Sequence, residues 1–170
     1  RKALDQISAF YSELDESVDK IIFLKNYSDA EKALDEGKVG IYLSFEGVEP
    51  LVNDINLLRV FYELGVRGVG LTWSRRNYAA DGGSFSREED RENGLSEFGE
   101  QVVKEAEYLG MVVDVSHLNE KGFWDVMEIT TKPVIASHSN CRAINDIMRN
   151  LSDDQIRALA DTGGVIGINA

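Results

Sequence analysis

Residues 111–139, MVVDVSHLNEKGFWDVMEITTKPVIASHS, carry the pattern on which the fold turns. An apolar, β-branched run ends in Ser-His at 116–117, a helical stretch follows over NEKGFWDVMEIT (119–130), and a second apolar run ends in Ser-His at 137–138. Strands alternating with helices at this spacing read as βα units of a parallel sheet. The chain has two histidines, and both stand at these strand exits. Strand exits are where parallel βα proteins gather their chemistry.

The alternation extends outward from that unit. Residues 1–19 read as an amphipathic helix leading in, and KIIFLKN (20–26) as a short strand followed by a helix from near Ser28 to Gly37. KVGIYLSFEG (38–47) predicts a buried strand that ends in an acid. Ile55, Leu58, Phe61 and Tyr62 recur at helical spacing, with Gly65 as the stop. RGVGLTW (67–73) predicts a strand that opens into a polar loop over 74–94. A helix over 96–109 carries Val102, Val103, Ala106 and Leu109 on its inner stripe, with Gly110 beyond it. Ser152 and Gln155 have the spacing of a capping box, Leu151 and Ile156 that of a hydrophobic staple, and GGVIGINA (163–170) reads as a further strand. The strands are near-continuous apolar runs, which predicts cover on both faces. With no linker or shift in composition, residues 1–170 read as one domain. The glycines of GVRGVG lie within a strand, so they are not a dinucleotide fingerprint.

Composition removes several function classes. The net charge is −12, from 30 acidic and 18 basic residues, and no basic stripe offsets it, which argues against a nucleic-acid partner. No apolar run approaches the ~20 residues of a membrane span. Cys141 is the single cysteine, so an intrachain disulfide and a cysteine-based zinc site are excluded; it reads as a packed residue in a reducing, cytoplasmic setting.

Glu46, Trp73, His117 and His138 all fall at strand ends, which share one side of a parallel βα sheet. Either histidine alone reads as a hydrogen-bonded rim residue. The repeat changes the reading, because packing does not ask for histidine at two strand exits, and a carboxylate with two imidazoles is a ligand set for a borderline ion such as zinc. Glu46 alone reads as a turn acid in EGVEP and gains a ligand role only from its company. Strand parity puts His117 on the face of Val113 and Val115, with Asp114 and Ser116 on the other. Asp114 is then a poor direct partner for His117, but it can orient a group on a neighbouring strand.

The phrases LSFEG (43–47), LGVRGVGLTW (64–73), GLSEFGEQVVKEAEYLGMVVDVSH (94–117), KPVIASHSN (132–140) and RNLSDDQIRALADTGGVIGIN (149–169) resemble, in order and spacing, the membrane (renal) dipeptidases, in a style closer to bacterial members. The resemblance implies a (β/α)8 TIM-type barrel of which this chain supplies about five to six βα units, and hydrolysis of dipeptides at two zinc ions. It implies that Glu46 bridges the ions and is the catalytic carboxylate, that His117 and His138 bind the second ion, and that Arg149 holds the substrate's carboxylate. Trp73 stands where animal members carry a histidine, as a pocket wall or a single N–H donor. Neither histidine here begins the His-x-Asp pair that holds the family's first zinc. The chain therefore reads as a central piece of a larger barrel, completed by missing segments or by homo-oligomerisation. The rival readings are a catalytically incomplete remnant and another amidohydrolase-type metal hydrolase.

Overall fold

The computed structural model describes residues 1–85 and 93–169. Helix α1 (Lys2–Glu16) leads into β1 (Ile21–Phe23), α2 (Tyr27–Asp35), β2 (Val39–Ile41) and β3 (Leu43–Glu46). A 3-10 turn at Glu49–Leu51 precedes α3 (Asn56–Glu63) and β4 (Val66–Gly70). The chain continues through α4 (Glu97–Leu109), β5 (Val112–Asp114), α5 (Glu120–Ile129), β6 (Ile135–Ala136), α6 (Asp153–Asp161) and β7 (Val165–Ile166). Strands β3 to β7 form one parallel sheet in chain order, and β1 pairs with β2 in a separate parallel sheet. Neighbouring strands that follow one another in sequence, each returning through a helix, form an arc of a TIM-type barrel.

The helices begin where local chemistry allows. Ser152 accepts from the Gln155 N–H while the Gln155 side chain accepts from Ser152 N–H, which completes the expected capping box of α6. Ser96 caps α4, and Gly110 ends it in the left-handed region at φ 76°. In α2 the cap is Asn26, in a box with Asp29, rather than the expected start near Ser28. An amide oxygen at Asn26 captures the Asp29 N–H, and Ser28 instead bonds the Asn26 side chain.

The expected strand over 38–47 is two strands on different sheets, with Tyr42 between them. This also corrects the expectation of a buried strand: Val39, Gly40, Ser44 and Glu46 are exposed. The core lies on the convex side of the arc. Phe45, Val69, Val113, Val115 and Ala136 pack there against Leu58, Phe61, Val102, Phe123, Val126 and Leu159 from the helices. Burying each such side chain stabilises the fold by roughly 1.5–3 kcal/mol. On the concave side Tyr42, Val112 and Val165 are exposed, so apolar cover reaches only one face. The expected strand over 163–170 shortens to Val165–Ile166, its last residue lying outside the described ones, as do residues 86–92 of the expected loop. No helix of the described residues is long and apolar enough to cross a membrane.

Strands β3 and β7 end the sheet, and unpaired edges beside an exposed apolar face favour association. Residues 1–170 produced alone are expected to self-associate in sedimentation velocity; a monodisperse monomer with one cooperative melting transition refutes this.

Candidate metal centre

Both histidines sit just past their strands, His117 three residues beyond β5 and His138 two beyond β6. β5 ends at Asp114, and residues 116–117 form a turn in which His117 takes a left-handed backbone, φ 71°. That conformation is uncommon outside glycine. It is held by the Gly83 N–H, which donates to the His117 carbonyl at 2.7 Å. A side chain at Gly82 would collide with the Trp73 carbonyl at 2.1 Å, so glycine is what lets this loop fold back on the segment after β4. Parity therefore fails for His117: the strand stops three residues earlier, and the turn swings the imidazole to the concave rim. Val113 and Val115 stay in the convex core.

His138 likewise follows β6 in a turn. Its Nε2 lies 2.8 Å from His117 Nε2, and Glu46 Oε1 lies 3.1 Å from His117 Nε2 and 3.2 Å from His138 Nε2. One ligand atom from each of the three residues lies within 4.8 Å of the others. They border a cleft of about 440 Å³ that Ser44, Gly70, Thr72, Asp114, Ser116 and Ser137 also line.

His117 is 5% exposed, and its pKa is lowered to about 3, chiefly by burial and further by the Arg149 and His138 charges. The Glu46 carboxylate lies beside it at 3.1 Å, its side chain 58% exposed. The 3.1 Å contact is accordingly one between a neutral imidazole and a carboxylate rather than an ion pair. Two imidazoles and a carboxylate oxygen at one point are lone-pair donors of the kind that take a divalent cation. The donor set thus fits a metal ion.

The remaining site residues surround these three. Trp73 is half exposed, its ring 6.1 Å from those of His117 and Phe85. It forms an aromatic wall with Phe85, which sequence reasoning had not singled out. Arg149 is 6% exposed and lies behind His138, donating to the His138 carbonyl at 2.5 Å and to Ser139 Oγ at 2.8 Å. Burial lowers its pKa against the raising influence of Asp114 and Glu46. Cys141 is half-buried, as a packed residue would be.

The expectation that Asp114 orients a group on a neighbouring strand is met through Ser137, which the sequence had not singled out. Asp114 accepts from the N–H groups of Ser116 (2.9 Å) and Ser137 (3.0 Å) and from the Ser137 hydroxyl. Ser137 Oγ lies 2.7 Å from His138 Nδ1, and Ser116 Oγ accepts from the His138 N–H at 3.1 Å. Asp114 does orient a group on the neighbouring strand. The signal was available, since each histidine follows a serine.

Comparison with known proteins places the chain in a family. The model of the membrane dipeptidase family, peptidase family M19, matches residues 1–170. The chain belongs to that family. A protein of Acinetobacter calcoaceticus, described as an uncharacterized protein in the PQQ-III 3′ region, is 38% identical over 143 residues, covering 83% of this chain and 45% of its own length. Among solved structures, the family M19 metallopeptidase described as dipeptidase AC superposes with a TM-score of 0.91 at 31% identity, over 98% of this chain and 50% of that one. A metallopeptidase from Rhodobacter sphaeroides, liganded with a phosphinate mimic of the dipeptide L-Ala-D-Ala, superposes with a TM-score of 0.87 at 31% identity, over 95% and 46%. The chain thus spans about half the length of these relatives, and the arc β3–β7 is a run of successive strands of an M19-type barrel.

A histidine whose folded pKa lies below its unfolded value of ~6.5 binds its proton on unfolding. The metal-free protein is expected to lose stability as pH falls from about 6.5 toward 3, and to hold this contribution in full above 6.5. Urea unfolding across that range checks it, with His117→Asn flattening the dependence; an equal slope in that variant removes His117 as its source.

Proposed function

We propose that this chain supplies the metal-binding and carboxylate-binding part of a zinc dipeptidase. The observation that carries the reading is the meeting of Glu46, His117 and His138 at the ends of β3, β5 and β6 in a chain of the M19 family. His117, His138 and Glu46 would hold the cation, and Glu46 would also serve the second ion of a two-zinc site. A cation at this place supplies an acidified water and a polarised amide carbonyl.

The residues of this chain then divide the remaining work. Glu46, more than half exposed on the cleft, would face the attacking water as a ligand of the cation, and in that role is the catalytic carboxylate. Trp73 and Phe85, their rings 6.1 and 6.2 Å from that of His117, would offer apolar contact to a substrate beside the metal donors. Arg149 is a buried cation that makes no ion pair within 4.0 Å among the described residues. A buried charge of that kind calls for an anion, and its planar fork pairs with a carboxylate through two parallel bonds. Fixing one terminal carboxylate near the metal donors restricts substrates to very short peptides. The ligand of the Rhodobacter sphaeroides relative, a dipeptide mimic, supports dipeptides as that class.

Purified intact protein is expected to contain two zinc ions and to hydrolyse dipeptides. Glu46→Gln and His138→Ala should lower metal content, whereas Arg149→Ala should raise KM on the order of 10- to 100-fold with metal content unchanged. Loss of zinc in Arg149→Ala would reassign that residue to bracing His138. One weakly held ion, or none, with no dipeptide hydrolysis in the unaltered protein would favour the remnant reading.

A further inference from the structure

The two histidines are neutral ligands only if each presents an unprotonated nitrogen to the ion. An imidazole with one proton carries it on Nδ1 or on Nε2, and the partner of the far nitrogen decides which. The two rings differ in this respect. His117 Nδ1 is buried with no hydrogen-bond partner among the described residues, whereas His138 Nδ1 lies 2.7 Å from Ser137 Oγ.

A serine hydroxyl can donate to an imidazole or accept from it, so Ser137 alone selects neither state. Its other neighbour removes the ambiguity. The Ser137 hydroxyl donates to Asp114 Oδ2, because a carboxylate accepts only. With its single proton committed there, Ser137 Oγ is left to accept from His138 Nδ1–H. The ring's lone pair then falls on Nε2, the atom that meets Glu46 and His117. The relay is built in: Asp114 is buried, and its Oδ1 is held by the N–H groups of Ser116 and Ser137. Oδ2 therefore cannot turn away from Ser137.

We propose that Asp114 and Ser137 are positioning residues that set the tautomer of His138, holding its proton on Nδ1 so that Nε2 is free to bind the metal. The inference rests on the metal reading above for its purpose but not for its geometry. No proton is gained or lost; both forms of the ring are neutral and differ only in which nitrogen carries hydrogen.

Asp114→Asn tests this because it reverses the relay while keeping the shape. The amide oxygen still accepts from the two backbone N–H groups. The amide nitrogen, however, donates to Ser137 Oγ, which turns the hydroxyl proton toward His138 Nδ1 and moves the ring's proton to Nε2. In the intact, metal-free protein labelled with ¹⁵N-histidine, two-bond ¹H–¹⁵N spectra are expected to show His138, assigned by its loss in His138→Gln, as the Nδ1–H form. Asp114→Asn should show the Nε2–H form. Zinc affinity, measured by chelator competition, should fall about 10- to 100-fold in Asp114→Asn and Ser137→Ala, and Ser137→Thr, which keeps the hydroxyl, should restore it. An Nε2–H form in the unaltered protein overturns the proposal. So does an unchanged tautomer in Asp114→Asn, or a loss of zinc that Ser137→Thr does not repair. A reversed tautomer in Asp114→Asn, in a protein whose zinc binding ignores His117→Ala and His138→Gln, supports the relay and removes the metal assignment instead. The two failures are thereby told apart.

Discussion

The arrangement depends on one buried carboxylate. Asp114, the last residue of β5, takes hydrogen bonds from both turns that carry the histidines. A buried carboxylate without partners is too costly to keep, so the two turns must close around it. Backbone pairing sets up the encounter: Asp114 is in register with Ile135, and the Val115 N–H donates to the Ile135 carbonyl at 2.8 Å. Parallel register thus delivers the two exits side by side, and the carboxylate then locks them. Ser116, bonded to the His138 N–H and 3.0 Å from Ser139 Oγ, adds a second tie between the same turns.

The geometry of the candidate metal centre inherits its form from that lock. Glu46 arrives from β3, two strands away across the glycines of β4. Gly68 and Gly70 leave open the concave surface between Glu46 and the histidines; a side chain at Gly68 would meet Ser44 Cβ at 2.8 Å. Arg149 then presses on His138 from behind. Burial, aided by the Arg149 charge, keeps His117, the more deeply buried imidazole, neutral.

The alternation of strands and helices was legible because periodicity and caps are local: Ser152 with Gln155, and Gly110 after α4, can be read without knowing any neighbour. The break at Tyr42 was not, since Val39 to Leu43 run on without a polar residue and only pairing partners reveal that the stretch serves two sheets. His117 shows a similar limit. Its face was inferred by extending a strand through Ser116, but a left-handed residue is invisible in sequence when it is not glycine. The histidines themselves stood out by rarity, and Glu46 by position. Asp114 and Ser137 were harder, because their role is expressed only across a strand pair.

The separation of the three donors along the chain has a kinetic consequence. Glu46 precedes His117 by 71 residues and His138 by 92. In a zinc finger the ligands are close in sequence, and the ion helps the chain to fold. Here a cation joining these side chains in the unfolded chain would have to close very long loops, at an entropic cost that rises with their length. Non-local contacts of this kind form late. A cation would therefore gain little from the unfolded chain, and the spacing of these donors favours one that joins an assembled β3–β6 scaffold rather than one that nucleates its folding.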